Sequence, residues 1–186
     1  MVTIIFAILV LVLVAGVVIF NRLVRGRNRV NAAWSDIDVQ LQRRHDLVPR
    51  LVKAVDQYAR YEKATLEAVT ELRAEALQQA DVRALGAVEE KLSAGIERLL
   101  ALAESYPDLK ANQNFLELQG ELVETENYLQ FARRYYNGSV RDYNTMTESV
   151  PNNLVAGMFQ FTPRDFFQKS SDEAANVPLA KFGNVE

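Results

Sequence analysis

The chain has 186 residues, a formal net charge of -3 and a composition close to the globular average. A charge so near neutrality gives no indication of nucleic-acid binding. The sequence contains no cysteine, which excludes disulfides, thiolate zinc sites, cysteine nucleophiles and lipid attachment through cysteine. The length suits one domain plus an appendage, and packing alone must stabilise that domain.

The first element is the apolar segment 2–20, VTIIFAILVLVLVAGVVIF, which carries no charged residue. At about 1.5 Å per residue it approaches the roughly 30 Å hydrocarbon core of a bilayer, which predicts a transmembrane anchor over residues 1–21. A cleaved signal peptide is the competing interpretation, but no Lys or Arg precedes the segment and no A-x-A-type site follows it. A buried core helix fits less well, because nothing else in the chain would surround so uniform a surface.

A basic juxtamembrane segment, residues 22–30, follows the anchor, and no acidic residue occurs before Asp36. The positive-inside rule then places the N-terminal tail outside and the body in the cytoplasm. Each arginine near the surface should also attract anionic lipid by about 1 kcal/mol. The residues expected to orient the chain in the membrane are Arg22, Arg25, Arg27 and Arg29.

Apolar residues recur at helical spacing from Val30 onward. They predict one long helix that ends near Gln78 and bends at Pro49, because this proline cannot donate a hydrogen bond to the carbonyl of His45. The residues of the stripe are Val30, Trp34, Ile37, Leu41, Val48, Val52, Val55, Ala59, Leu66 and Val69.

Two further helices are predicted. One begins after Asp81, its N-cap, and runs to Ser105, where the turn sequence SYPDLK starts. The other begins near Asn114, with Glu117 at the capping-box position, and ends at VPNN, residues 150–153. The predicted fold is therefore all-α: a transmembrane helix, an antiparallel up-and-down bundle over 31–168 with three long helices and room for a shorter fourth, and a C-terminal tail, 169–186.

The predicted helix lengths do not match, since the first would be roughly 70 Å long and the second about 35 Å. Residues 30–45 would then have no cover from their own chain, unless the first helix folds back at Pro49. In the uncovered case the stripe meets another subunit or a protein partner. The candidate interaction surface comprises Trp34, Ile37, Leu41 and His45, with Val39 and Leu47 as a second patch.

The stretch WSDIDVQLQRRHDLV, residues 34–48, suggests catalysis because it contains the chain's one histidine, His45, and three aspartates. On a helix, Asp36 and Asp38 diverge by about 200° and do not converge on one ion. His45 shares the apolar stripe, which favours a packed histidine. One histidine also excludes HD-type, di-iron and HExxH sites. We predict no catalytic residue, metal or cofactor. The alternative is a membrane-associated hydrolase or lipid-modifying enzyme that uses His45 with Asp38 or Asp46.

Three further features have two interpretations each. Tyr136–Asn137 recurs as Tyr143–Asn144, which favours interhelical hydrogen bonds that fix register over a ligand-binding ladder. The Phe-rich segment 159–167 either caps the open end of the bundle or captures a partner. Ion pairing within the chain is preferred to phosphate binding for Arg43, Arg44, Arg133, Arg134 and Arg141, which alternate with Glu121, Glu124, Glu126 and Asp142.

Four blocks, RNRVNAAWSDIDVQLQRRHDLVPRLV, ALAESYPDLKANQNFLELQGELVETEN, YNGSVRDYNTMTESVPNNLVA and FFQKSSDEAANVP, resemble the LemA family in content and order. The resemblance spans nearly the whole chain. It implies a single-pass bacterial inner-membrane protein with a short outside tail and a cytoplasmic body related to four-helix up-and-down bundles. It supplies no enzymatic activity and no role for His45. The fourth helix would come from a subdivided first helix or from residues 151–168.

We therefore expect a membrane-anchored scaffold, or an interaction and oligomerisation module, without catalytic activity. Its expected partners are membrane lipid and either another protein or a second copy of the chain, and not nucleic acid. Besides the enzymatic alternative, a sensor of envelope stress is a third hypothesis, and its effector would have to be a partner protein.

Overall fold

The computed structural model describes residues 1–59 and 61–167, so the predicted C-terminal tail lies outside the described residues. All regular secondary structure in the described part is α-helical, which confirms the predicted fold class. Its helices are α1 (Val2–Asp56), α2 (Lys63–Gln78), α3 (Val82–Ala103), α4 (Pro107–Lys110), α5 (Gln113–Glu148) and α6 (Asn152–Met158).

Helix α1 is a single helix of 55 residues. It contains a stretch that is long and apolar enough to cross a membrane, and no residue of that stretch is buried against the rest of the chain. The basic segment 22–30 continues the same helix, and its residues Leu23 and Val30 are already buried in the bundle. The apolar segment and the bundle are therefore joined without a linker.

The first predicted helix is too long, because α1 ends at Asp56 and the chain reverses direction before α2 begins at Lys63. The helix continues through Pro49. The apolar spacing continues across the turn, because Ala59 and Leu66 are both buried and follow the stripe of α1 at helical intervals in the sequence. The predicted first helix is thus divided into α1 and α2, and α2 is the additional helix that completes a four-helix bundle.

Side-chain caps set the starts of α3 and α5. The Asp81 carboxylate accepts a hydrogen bond from the Ala84 amide at 2.8 Å, as predicted for an N-cap. Helix α5 begins one residue earlier than predicted, because Asn112 is its N-cap and accepts from the amides of Asn114 and Phe115. Glu117 is consequently not at the capping-box position.

The bundle is an up-down-up-down arrangement of α1, α2, α3 and α5. Along α1 from Trp34 to Arg50, the contacts on α5 run back from Tyr136 to Glu121, so these two helices are antiparallel. Helices α2 and α3 form a hairpin that packs on α1.

Close approach of α2 and α3 requires Gly95. A Cβ atom at that position would lie 2.8 Å from Cγ2 of Val69, which is closer than van der Waals contact allows.

Two buried apolar clusters form the core. The proximal core is the one next to the apolar segment, and the distal core lies toward the far end of the bundle. The proximal core comprises Leu23, Val30, Ala33, Ile37, Leu41, Ala76, Leu85, Val88, Leu129, Tyr136, Val140, Tyr143, Ala156, Phe161 and Phe167. The distal core comprises Leu47, Val48, Leu51, Val55, Ala59, Leu66, Val69, Leu92, Ile96, Leu99, Ala103, Leu109, Phe115, Leu118 and Leu122.

The prediction of an interaction surface on α1 is wrong, because other parts of the same chain cover these residues. Ile37, Leu41 and His45 are buried. Trp34 is half-buried and packs edge-to-face on the rings of Tyr136 and Phe167, with centroid separations of 5.4 and 5.8 Å. Because the chain reverses direction between α1 and α2, the 36 residues of α5 can run back over this part of α1. In the second predicted patch, Leu47 is buried and only Val39 is exposed.

Candidate functional site

A buried cluster of charged side chains lies between the two cores. Arg44 and His45 come from α1, Glu89 comes from α3, and Glu126 and Arg133 come from α5. The first three are almost completely enclosed, with exposed fractions of 2% for Arg44, 6% for His45 and 0% for Glu89. Charges this deep are costly to desolvate, so their partners determine whether the fold tolerates them.

Glu89 is the centre of the cluster. Its Oε1 lies 2.6 Å from Nε2 of His45, and its Oε2 accepts from Nη2 of Arg44. The other terminal nitrogen of Arg44, Nη1, donates to Ser93 Oγ at 2.6 Å and to Glu126 Oε2 at 3.0 Å. One guanidinium thus connects carboxylates on two helices to α1.

The pKa values of the cluster follow from this geometry. Burial alone would raise the pKa of Glu89, but the hydrogen bond with His45 and the charge of Arg44 outweigh it and lower the pKa below its ordinary value of 4.5. Burial, followed by repulsion from Arg44, lowers the pKa of Arg133. The guanidinium of Arg133 also lies over the ring of Phe167, 5.1 Å from its centroid. Glu89 therefore remains a carboxylate at neutral pH.

The structure corrects the partner of His45. Asp38 and Asp46 are exposed, and the carboxylate that faces the imidazole is Glu89 of α3. A histidine paired with a glutamate has the groups of an acid–base couple, but a substrate would have to reach two side chains that the bundle encloses. The geometry fits a brace between α1 and α3.

The sequence contains one signal for this cluster, the position of Glu89. Glu89 follows Leu85 by four residues and precedes Leu92 by three, which places it on the apolar stripe of α3. A carboxylate on a buried stripe needs a buried cation. Arg44 and Arg133 occupy the corresponding stripe positions on α1 and α5.

A second polar contact explains why α1 continues through Pro49. Because proline lacks an N–H, the carbonyl of His45, four residues earlier, has no intrahelical donor. Nε of Arg73, on α2, donates to this carbonyl at 2.7 Å. The group that proline leaves free thereby becomes the docking point for α2.

The asparagines of the repeated Tyr–Asn pairs hold the extended segment 161–167 against α5. Asn137 donates to the carbonyl of Phe167 at 3.0 Å and accepts from its amide at 2.9 Å. Asn144 makes the same pair of bonds to Arg164, at 2.9 and 2.8 Å. Seven helical residues span about 10.5 Å, close to the roughly 10 Å of three extended residues, so the two spacings match. The predicted hydrogen bonds exist, but their partner is an extended segment and not another helix.

The predicted pairing of arginines with carboxylates is observed for three of the five arginines. Arg44–Glu126, at 3.0 Å, belongs to the buried cluster, whereas Arg43–Glu124 at 2.8 Å and Arg141–Asp142 at 3.3 Å are exposed. Exposed pairs are screened by solvent and contribute little individually.

Helix α5 has a second apolar side that faces solvent. We call this the outer face of α5; it is formed by Tyr128, Phe131 and Tyr135, with Val39 of α1 beside it. The exposed fractions are 50% for Tyr128, 63% for Phe131, 55% for Tyr135 and 62% for Val39. The guanidinium of Arg134 lies 4.7 Å from the ring centroid of Phe131. The outer face is a contiguous aromatic surface on a helix that fills the core with another of its sides.

Aromatic side chains also close the proximal end of the bundle. The ring of Phe20, the last residue of the apolar segment, packs edge-to-face on Phe159 and Phe161, at 4.9 and 5.6 Å. The guanidinium of Arg27 lies 5.2 Å from the centroid of Phe161. Arg22, Arg25 and Arg29 are exposed on α1. The Phe-rich segment thus caps this end, as one of the two interpretations predicted.

Comparison with known proteins identifies the family of this chain. The LemA family profile matches residues 33–182. Protein LemA of Metamycoplasma hominis is 28% identical over 96% of this chain and 85% of its own length. Magnetosome protein MamQ 2 of Paramagnetospirillum magneticum is 23% identical over 86% of this chain and 68% of its own, and magnetosome protein MamQ of Magnetospirillum gryphiswaldense has the same identity and coverage. The chain belongs to the LemA family.

Proposed function

We propose that this LemA-family protein is a membrane-anchored scaffold without catalytic activity, and that its bundle binds protein partners through the outer face of α5. The observation that carries the proposal is the exposure of Tyr128, Phe131 and Tyr135 at helical spacing on one surface. Isolated exposed apolar residues are common, but a contiguous aromatic patch is typical of an interaction site.

The chemistry of the outer face suits a protein surface. Tyr and Phe bring large contact areas at a low cost in side-chain entropy, and tyrosine hydroxyls keep hydrogen bonds at the edge of an interface. Val39 widens the patch from α1, and Arg134 adds a cation over the ring of Phe131. An apolar helix of a partner, or of a second copy of the chain, would complement this surface.

Site-specific photocrosslinking of the full chain in native membranes tests the proposal. A crosslinking amino acid in place of Phe131 should give discrete protein adducts, and their mass distinguishes a second copy from another protein. The matched control is the same amino acid in place of Thr70, an exposed residue of α2. Equal, diffuse adducts from both positions would contradict the proposal.

A second variant separates binding from folding. With the crosslinker in place of Tyr128, Phe131→Asp should abolish the adducts, because it places a charge in the centre of the interface. Phe131 is exposed, so the thermal unfolding midpoint should stay within error of the parent. Retained adducts in this variant would exclude the outer face as the binding surface.

The non-catalytic part of the proposal has its own test at His45. Because His45 is packed against Glu89, His45→Gln should lower the unfolding midpoint while preserving the adducts from position 131 below that midpoint. Loss of function with unchanged stability would instead support the enzymatic alternative.

We also propose that the apolar segment is inserted in the bacterial inner membrane, with the N-terminus outside and the bundle in the cytoplasm. The supporting feature is the group of exposed arginines directly after the segment. Since the natural sequence has no cysteine, Thr3→Cys and Ala111→Cys each give a single thiol. A membrane-impermeant maleimide should label only position 3 in intact cells and both positions after permeabilisation. The reverse pattern would invert the topology.

A further inference from the structure

We infer that helix α6 and the turn after it lie on the lipid surface and form a second membrane contact beside the transmembrane segment. The contact face consists of Val150, Leu154, Met158 and Phe159. This inference rests on the proposed insertion of the apolar segment. It adds a peripheral contact that neither the anchor nor the outer face of α5 requires.

The position of α6 carries the argument. The rings of Phe159 and Phe161 pack on Phe20, the last residue of the apolar segment. Ala156, on the inner side of α6, belongs to the proximal core together with Leu23 of α1. With residues 2–20 spanning the hydrocarbon layer, these contacts place α6 at the level of the lipid headgroups.

Helix α6 presents apolar side chains away from the bundle at this level. Leu154 and Met158, four residues apart and therefore on one side, are 70% and 78% exposed. Val150, just before the helix, is 80% exposed, and Phe159, just after it, is 54% exposed. Ala156 on the opposite side is buried, so α6 has one side on the protein and an apolar side directed outward.

Charge also favours lipid as the occupant of this face. The fifteen residues 149–163 contain no Asp, Glu, Lys, Arg or His, so entering the interface would desolvate no ionised side chain. The exposed Arg22, Arg25 and Arg29 belong to the same end of the bundle. An apolar face flanked by cations is the pattern of a helix that lies in an anionic membrane interface.

Environment-sensitive fluorescence of the full chain in anionic proteoliposomes tests the inference. Met158→Cys, labelled with a nitrobenzoxadiazole dye, should show blue-shifted emission and quenching by nitroxides on the upper part of the lipid acyl chains. Two single-cysteine controls calibrate the result. Ile8→Cys reports on the apolar segment, and Ala111→Cys reports on the distal end, where emission should be unshifted and unquenched.

The controls separate failure of this inference from failure of the proposed insertion. If position 8 is quenched and position 158 is not, the anchor is inserted and the second contact is absent. If neither position is quenched, insertion itself fails, and the contact at α6 fails with it. If position 158 is quenched, Leu154→Ser in the same labelled chain should reduce that quenching without changing quenching at position 8. Unreduced quenching would show that α6 does not make the contact through its outward side.

Discussion

In the distal half of the bundle helices enclose a mainly aliphatic core, whereas the proximal core also contains Phe161 and Phe167 from the extended segment 161–167. A helix satisfies its own backbone groups, so the distal half needs only apolar stripes of matching shape. The extended segment needs outside partners for its backbone, and Asn137 and Asn144 provide them. Packing defines the distal half, and packing together with specific polar contacts defines the proximal half.

The buried cluster at Glu89 lies between the two halves, and breaking it should have the largest effect. Glu89→Ala leaves Arg44 and His45 without their shared carboxylate, so we expect a loss of about 3–5 kcal/mol in the free energy of unfolding. Chemical denaturation in detergent measures the loss. Glu97→Ala, at an exposed position of α3, is the matched control and should be near neutral. Equal effects of the two substitutions would show that the buried cluster does not stabilise the fold.

The same cluster predicts a pH dependence. The pKa of Glu89 is lower in the fold than its ordinary value of 4.5, so its stabilisation is complete above that value and is lost as the pH falls through the folded pKa. Denaturation at a series of pH values should show a steeper loss below pH 4.5 for the natural chain than for Glu89→Gln. The other carboxylates titrate in both chains, so parallel curves would contradict the assignment.

The next effect concerns the docking of α2 at Pro49. Arg73→Ala removes a donor to the His45 carbonyl, and a hydrogen bond from a charged group contributes about 1.5–3 kcal/mol. Pro49→Ala restores an intrahelical N–H for that carbonyl. A double-mutant cycle should therefore show a smaller cost of Arg73→Ala in the Pro49→Ala background. An equal cost in both backgrounds would show that Arg73 acts through something other than this carbonyl.

A pair of glycine substitutions probes packing in the distal half. Gly95→Ala places a methyl group 2.8 Å from Cγ2 of Val69, whose branched side chain has little freedom to move, so we expect a loss of about 1–3 kcal/mol. Gly120→Ala on α5 meets nothing within 4 Å, and helix propensity predicts a gain of about 0.5–1 kcal/mol. Thermal unfolding of both variants should move in opposite directions. A destabilised Gly120→Ala would show that this part of α5 is covered.

The hydrogen bonds of Asn144 probe the proximal half separately from the distal half. Asn144→Ala removes two hydrogen bonds to the backbone of Arg164, which corresponds to about 1–2 kcal/mol. Hydrogen exchange should accelerate at residues 161–167 and remain unchanged in α3. Asn127→Ala, an exposed position on the same helix, serves as the control. Faster exchange in both halves would mean that the segment and the distal core unfold as one unit.

Apolar spacing explains how much of the fold was predictable. Helix α3 lies within two residues of its predicted ends, because an unbroken stripe and the Asp81 cap define it. The turn between α1 and α2 was missed because Ala59 and Leu66 continue the apolar spacing of α1. Spacing alone does not reveal a break in a helix when the spacing continues across it.

The candidate site was less predictable, because its partners come from distant parts of the sequence. The carboxylate that faces His45 lies 44 residues away along the chain, on a helix whose pairing with α1 depends on the missed turn. Likewise, the asparagines of α5 bind backbone groups 20 and 30 residues away, in a segment with no periodicity of its own. Every residue has backbone N–H or C=O groups, so a side chain that binds backbone can have a partner of any residue type. The sequence therefore does not indicate which residue the partner is.

The continuity of α1 gives lipid thickness a direct influence on the bundle. A transmembrane helix tilts when its apolar length exceeds the thickness of the hydrocarbon layer. With residues 2–20 in lipid and no linker before Leu23, such a tilt carries the whole bundle with it. A thinner bilayer would therefore lean the body toward the membrane surface and change the angle at which the aromatic side chains of α5 meet a partner.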